Sequence, residues 1–136
     1  MGKNKFKMTL KVRFFDIDML AHTNNAAYFT FMEEARMDFF ESLGYSAKTF
    51  NTRCPIILVE ASCRYKSASF LHEALEITVT PDELKEKSFA LIYEIREKTS
   101  SRLVAQGRTV QVTFDYHQKK VIAMPAELKE KLLIHA

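Results

Sequence analysis

The sequence predicts an α+β fold in which a curved antiparallel sheet wraps around one long helix. Residues 25–43 carry apolar side chains at the spacing of a helical turn. Most of the remaining chain alternates between apolar and polar residues, as half-buried strands do. The strand segments follow one another through short turns, which favours antiparallel pairing. The helix has an apolar arc of about half its circumference, so we expect a sheet to cover it.

The first strand is predicted over Met8 to Asp16, with Leu10, Val12 and Phe14 on one face. The long helix then runs from Asn25 to Leu43. Asn24 and Asn25 precede it as capping residues, and Gly44 follows where a left-handed residue ends many helices. The apolar arc of this helix consists of Tyr28, Phe29, Phe31, Met32, Ala35, Phe39, Phe40 and Leu43.

Four further strands follow a polar loop from Tyr45 to Cys54. The first begins at Ile56 with a fully apolar run, which predicts a central position in the sheet. The others are predicted over residues 74–80, 88–97 and 102–116, the last with Val110, Val112 and Phe114 on its apolar face. Gly107 in that strand indicates a bulge or a close approach of a neighbour. A short helix starts after Pro125.

Length and composition predict one domain over residues 1–136. The chain is 47% hydrophobic and 27% charged, as globular domains are. The net charge of +3 comes from scattered lysines, which argues against a nucleic-acid partner and is compatible with a phosphorylated small molecule. No apolar run is long enough to span a membrane, and no leader segment is evident, so we expect a cytoplasmic protein with Cys54 and Cys63 reduced.

A single sheet around one helix leaves apolar residues on its outer face. Burying them through the face or the edge of the sheet requires a second copy of the chain. The sequence therefore predicts a homodimer or a homotetramer built as a dimer of dimers.

Residues 16–25, named the elbow here, hold the densest group of reactive side chains: Asp16, Asp18, His22, Asn24 and Asn25. A calcium loop is rejected, because Leu20, Ala21 and Ala27 stand where that loop needs an oxygen ligand, a glycine and a glutamate. A transition-metal site at Asp18 and His22 lacks a third ligand, so no metal is expected. Two compatible hypotheses remain, a helix-capping loop and a hydrolytic site in which a carboxylate works beside the amides of the helix start.

The string VRFFDIDMLAHTNNAAYFTFMEEAR, residues 12–36, resembles the opening motif of the hotdog-fold acyl-CoA thioesterases, the 4-hydroxybenzoyl-CoA thioesterase-like family. The resemblance continues in weaker form over nearly the whole chain. It implies the hotdog fold, hydrolysis of an acyl-CoA to free acid and coenzyme A without a cofactor, and active sites formed between subunits.

By this resemblance Asp18 is the catalytic carboxylate, acting as nucleophile or general base, and His22 orients the carboxylate, the water or the substrate. Ala21 and Thr23 stand where the family usually has glycine and valine. Lysines at strand ends are expected to meet the phosphates of coenzyme A. The predicted substrate-binding residues are Asn24, Asn25, Tyr28, Lys66, Lys87 and Ser88.

Two other functions stay open at this point. One is hydrolysis of acyl groups carried by acyl carrier protein, and the other is a non-catalytic module that binds acyl-CoA. A pure binding module needs neither Asp18 nor His22, so their presence favours an enzyme.

Overall fold

The fold is an antiparallel sheet curved around a central helix, as the sequence predicts. A computed structural model describes residues 5–46 and 48–136. The sheet has the strand order β1-β3-β4-β5-β2, and the short β6 pairs with β5. The elements are β1 (Phe6–Lys11), α1 (Ala27–Ser42), α2 (Phe50–Arg53), β2 (Ile56–Tyr65), β3 (Ala74–Asp82), β4 (Ser88–Glu97), β5 (Leu103–Asp115), β6 (Lys120–Val121) and α3 (Ala126–His135).

Helix α1 lies against the concave face of the sheet with its predicted apolar arc buried, apart from the half-exposed Phe29. Gly107 permits a close contact with the helix, because a Cβ there would lie 2.1 Å from Sδ of Met32. The β2–β5 register runs through Gly107 without a shift, so the close approach is the correct alternative. Gly44 has φ of +99° and ends the helix as predicted.

The first strand ends earlier than predicted. It stops at Lys11, and residues Phe14–Asp16 form a 3₁₀ turn. The carboxylate of Asp16 fixes this turn by accepting the backbone N–H of Arg13 at 2.9 Å. Phe14 consequently points outward with 79% of its surface exposed, and its predicted place on the apolar face is wrong.

Strand β5 presents its polar residues to the core, contrary to the expectation from its valines. Thr109, Gln111 and Thr113 are buried, whereas Val110 and Val112 are only half-buried on the outer face. The cause is Gly107, which must face α1 because only glycine fits there. The two-residue period of a strand then turns residues 109, 111 and 113 inward as well.

Strand β2 lies at the edge of the sheet, so its predicted central position is wrong within one chain. It pairs with β5 on one side only. A register shift between Leu58 and Glu60 marks a bulge. Ile57, Leu58 and Val59 are 38%, 43% and 57% exposed. An apolar strand with one open side is a surface on which a second chain can pair.

In the part of the chain that the structure describes, no helix is long and apolar enough to cross a membrane.

Candidate active site

The elbow is a tight turn that places Asp18 and His22 opposite each other. The Asp18 N–H donates to His22 O at 3.1 Å, and the Ala21 N–H donates to Asp18 O at 3.0 Å. An isolated antiparallel bridge between Ile17 and Thr23 closes the turn. Asp18 and His22 are therefore backbone neighbours across the turn. His22 lines the cavity described below, whereas Asp18 is not among its lining residues.

The Asp18 carboxylate is half-buried, and one of its two oxygens is hydrogen-bonded. One of its oxygens, Oδ1, accepts the Leu20 N–H at 2.9 Å, which fixes the side-chain rotamer. The second oxygen has no hydrogen-bond partner among the described residues. A carboxylate held in this way is oriented and still has an oxygen able to attack a carbonyl or take a proton from water.

The His22 ring is half-buried, and its Nδ1 lies 3.4 Å from Thr23 O. This contact suits the tautomer with the proton on Nδ1, which leaves Nε2 as an acceptor. No hydrogen bond joins the ring to the Asp18 carboxylate in this structure. The expected orienting role of His22 toward that carboxylate is therefore not made by a direct bond.

Most amides at the start of α1 are already used. Asn24 holds the turn that leads into the helix, since its Oδ1 accepts the Ala26 N–H and its backbone oxygen accepts the Ala27 N–H, both at 2.9 Å. The N-cap position itself is Ala26, which has no side-chain capping bond. The Tyr28 N–H reaches Asn25 O at 3.3 Å. The Asn25 N–H has no partner in the described ranges. We expected several unpaired N–H groups at the start of the helix, and Asn25 supplies the one that is left among residues 25–28.

A cavity of about 260 Å³ opens beside the helix start, with an imidazole, an amide, two phenols and an ammonium group in its wall. Tyr65 was not among the predicted site residues. Its ring packs against that of Tyr28 with centroids 5.5 Å apart, and its hydroxyl donates to Asn25 O at 3.3 Å. From the sequence, strand alternation predicts that Tyr65 lies on the helix-facing side of β2. It does not predict the contacts with Tyr28 and Asn25. The lining residues are His22, Thr23, Asn25, Tyr28, Tyr65, Lys66, Ser67 and Ala68.

Lys87 and Ser88 lie at the opposite end of the sheet from this cavity. Ser88 pairs with Val112 on β5, whereas Tyr65 pairs with Ala105. Seven strand residues separate these levels, a distance of about 23 Å. A single chain therefore does not bring Lys87 and Ser88 to the elbow.

Asp16 is tied into the scaffold. Its carboxylate accepts Nε and Nη2 of Arg13 at 3.2 and 3.0 Å, and its backbone oxygen accepts the Asn24 N–H at 2.8 Å. Burial alone would raise the pKa of this carboxyl, but the hydrogen bonds from Arg13 outweigh it and hold the pKa below the usual value. Asp16 thus anchors the elbow.

Among the described residues, no three His, Cys, Asp or Glu side chains gather closely enough to hold a metal ion.

Ala21 has φ of +66°, a conformation that glycine adopts without strain. We expect Ala21→Gly to stabilise the protein by about 0.5–1 kcal/mol, after subtracting the larger chain entropy of unfolded glycine. Thermal unfolding should then shift upward by about 2–4 °C. The matched control is Ala26→Gly, at a position with helical φ of −66°, which should lower the melting temperature. An Ala21→Gly variant that melts below the wild type would contradict this account.

The fold and the family model agree on the class of protein: the chain belongs to the thioesterase-like superfamily, whose model matches residues 12–132. The resemblance seen in the elbow is thereby confirmed. The chain is 31% identical over 123 residues to the long-chain acyl-CoA thioesterase FadM of Escherichia coli, covering 90% of this chain and 93% of that protein. The crystal structure of YbaW, a probable thioesterase from Escherichia coli, superposes with a TM-score of 0.81 at 30% identity, covering 95% of this chain and 97% of that one. A Staphylococcus aureus protein crystallised with CoA shares the fold, with a TM-score of 0.91 at 19% identity, covering 99% of this chain and 85% of that one.

Proposed function

We propose that this chain is an acyl-CoA thioesterase with Asp18 as its catalytic carboxylate. The observation that carries the proposal is the elbow geometry. A fixed carboxylate with one unpaired oxygen lies in the same tight turn as His22. His22 and Asn25 both line the adjoining cavity, and the Asn25 N–H has no partner among the described residues. Acyl transfer requires two components. The first is a nucleophile or a general base, and the second is a hydrogen-bond donor for the carbonyl oxygen.

In the proposed reaction the thioester carbonyl oxygen accepts the Asn25 N–H, which stabilises the negative charge that develops on this oxygen. If Asp18 acts as a base, it takes a proton from the attacking water, the carbon–sulfur bond breaks, and the same proton passes to the departing thiolate. If Asp18 attacks the carbonyl carbon itself, coenzyme A leaves as a thiolate and a mixed anhydride forms. Water then hydrolyses this anhydride, which restores Asp18 and supplies the proton for the thiolate. His22 Nε2 is suited to accept a hydrogen bond from the water during attack.

The substrate class follows from the relatives. FadM is named a long-chain acyl-CoA thioesterase. A relative from Crocosphaera subtropica, 26% identical over 107 residues, is named a 1,4-dihydroxy-2-naphthoyl-CoA hydrolase. Lys66 in the cavity wall offers a cation for a coenzyme A phosphate. The cytoplasmic location stays a prediction of the sequence.

The direct test is thiol release from a panel of aliphatic and aromatic acyl-CoAs, with the same acyl groups on acyl carrier protein in parallel. Hydrolysis of the CoA esters supports the proposal. Hydrolysis of the carrier-protein esters alone would assign the other donor. Tight binding of acyl-CoA without thiol release would identify a binding module and reject the enzyme.

We propose further that two chains pair through β2. The exposed run of Ile57, Leu58 and Val59 follows an edge with unpaired backbone groups, and an apolar edge of this kind favours pairing with another strand. Phe29 and Met37 on α1 are also 39% and 43% exposed. A two-fold axis that pairs β2 with its copy would give the apolar run the central position that its composition predicts.

This dimer would also explain the distant Lys87 and Ser88. Antiparallel pairing puts the end of one β2, at Tyr65, beside the start of the other, at Ile56. Ile56 pairs with Thr113, whose amide donates to Lys87 O at 2.9 Å. Lys87 of the second copy would therefore reach the same end of the sheet as the cavity, as a partner for a coenzyme A phosphate.

Mixed dimers test this shared site. Asp18→Asn and Lys87→Glu chains, each impaired alone, should regain activity when unfolded together and refolded. In a mixed dimer one site carries both changes and the other carries neither, so an equal mixture should recover about one quarter of wild-type activity. Activity no higher than the mean of the two parents would show that each site uses its own Lys87, or none.

A further inference from the structure

Three buried hydroxyl groups form a chain beside the candidate active site. Thr23 Oγ1 lies 2.5 Å from Ser69 Oγ, which lies 2.8 Å from the Tyr28 hydroxyl. The exposed fractions of these residues are 2%, 0% and 3%. They come from three segments of the chain: the elbow, the connection between β2 and β3, and the first turn of α1. The Ser69 hydroxyl thus joins the elbow to the helix.

Two other contacts hold the elbow: the Ile17–Thr23 bridge within it and a backbone bridge between His22 and Phe70. Met19, Leu20 and Ala21 are exposed, and within residues 16–25 only Asp16 and Thr23 are buried. Asp16 fixes the first half through Arg13. The second half is fixed at Thr23, whose N–H donates to Ser69 O at 2.8 Å and whose hydroxyl reaches the same oxygen at 3.2 Å.

The hydroxyl protons can all be used within this chain. Thr23 donates to Ser69 O, Ser69 donates to Thr23 Oγ1, and Tyr28 donates to Ser69 Oγ. Burial is the main effect on Tyr28 and raises the pKa of its phenol, which keeps the donor protonated. Removing the Ser69 hydroxyl would leave the buried Tyr28 phenol without this acceptor and Thr23 Oγ1 without this donor, which is costly for buried polar groups. The bonds from Thr23 to Ser69 O would remain, so the link that is lost is the one between the elbow and α1.

We propose that Ser69 is a positioning residue of the thioesterase site. It holds Thr23 against Tyr28 and thereby fixes His22, which precedes Thr23, and the Asn25 amide, which follows it. The inference rests on the proposed thioesterase function. A displacement of about 1 Å in groups that must align with a reacting carbonyl can lower the rate by about a hundredfold.

The test compares Ser69→Ala and Thr23→Val, two variants that remove one hydroxyl each with little change in shape. We expect each to lower kcat by about tenfold or more while KM for an acyl-CoA changes by less than about twofold. Thr23→Ser keeps the hydroxyl and should retain most of kcat. The double variant should lose little beyond the single ones, because both remove the same link.

The matched control is Thr109→Val. Thr109 is also buried, and its hydroxyl lies 2.8 Å from the Tyr93 hydroxyl. It pairs with Ala61, about 13 Å along β5 from the level of the cavity. Each of these variants removes a buried hydrogen bond, so each should have a lower melting temperature than the wild type. Thr109→Val should nevertheless keep kcat. The melting temperature of each variant, measured beside its kinetics, separates the two effects.

Three results would overturn the inference. A folded Ser69→Ala enzyme with unchanged kcat, or a Thr109→Val enzyme with the same loss of kcat, would show that Ser69 has no specific role, while the thioesterase function stands. If Ser69→Ala fails to fold, Thr23→Val with its Thr23→Ser partner decides the question. A wild type that releases no thiol from any acyl-CoA would instead overturn the proposed function, and this inference with it.

Discussion

Replacing Asp18 by Asn is expected to lower kcat for acyl-CoA hydrolysis by about two orders of magnitude or more, the usual contribution of a positioned acid or base. The carboxamide oxygen can still accept the Leu20 N–H that Oδ1 now accepts at 2.9 Å. The turn should therefore survive, whereas a neutral amide neither attacks a thioester nor takes a proton from water. Steady-state thiol release under saturating substrate measures the effect.

Asp115→Asn is the matched control for this variant. Asp115 also sits in a turn and accepts two backbone amides, those of His117 and Gln118, at 2.8 and 3.0 Å. These bonds hold the pKa of its carboxyl below the usual value. Asp115→Asn removes a comparable charge far from the elbow of its own chain. In the proposed dimer Asp115 lies at the same end of the sheet as the partner's cavity, but it has no assigned part in the reaction, so this variant should keep most of the wild-type kcat. Full activity in Asp18→Asn would reject Asp18 as the catalytic carboxylate. Replacing His22 by Ala should cost less than Asp18→Asn.

Introducing a charge at the edge of β2 is expected to separate the proposed dimer and abolish activity. Val59 is 57% exposed and lies near the middle of the strand. In the proposed pairing, two Val59→Glu side chains and two copies of Glu60 would lie within the same short stretch of the interface. Like charges placed together at an interface cost several kcal/mol, so the dissociation constant should rise by about a hundredfold or more.

Light scattering over a dilution series measures the mass of the Val59→Glu protein, and circular dichroism checks that each chain stays folded. The control is Val121→Glu on β6, where the native side chain is 45% exposed and no pairing is proposed. It should remain a dimer with wild-type activity. A Val59→Glu protein that is dimeric and fully active would place the subunit contact elsewhere. An active monomer would show that one chain holds a complete site.

The sequence was sufficient for the features that depend on local periodicity and on a compact motif. The 3.6-residue period located α1, and alternation located the four long strands to within a few residues. Asp18, His22, Asn24 and Asn25 lie close together in the chain. Their resemblance to one family therefore needed no tertiary information, and the family match over residues 12–132 confirms it.

Only the tertiary structure decided how these pieces face one another. The inward polar row of β5 follows from Gly107 meeting Met32, a contact between residues 75 positions apart in the sequence. The edge position of β2 depends on the order of all the strands. Periodicity reports that a strand has two unlike faces and is silent on which neighbour covers each.

The elbow shows the same division. Its residue types indicated acyl chemistry, but the hydrogen bonds decided which groups are still available. The backbone N–H groups of Ala26, Ala27 and Tyr28 are hydrogen-bonded within the protein, and that of Asn25 is unpaired among the described residues. The hydrogen bonds also introduced Ser69, 46 residues after Thr23, for which the sequence gives no local signal. A hydrogen bond depends on positions in space, and those are set by packing between segments far apart in the chain.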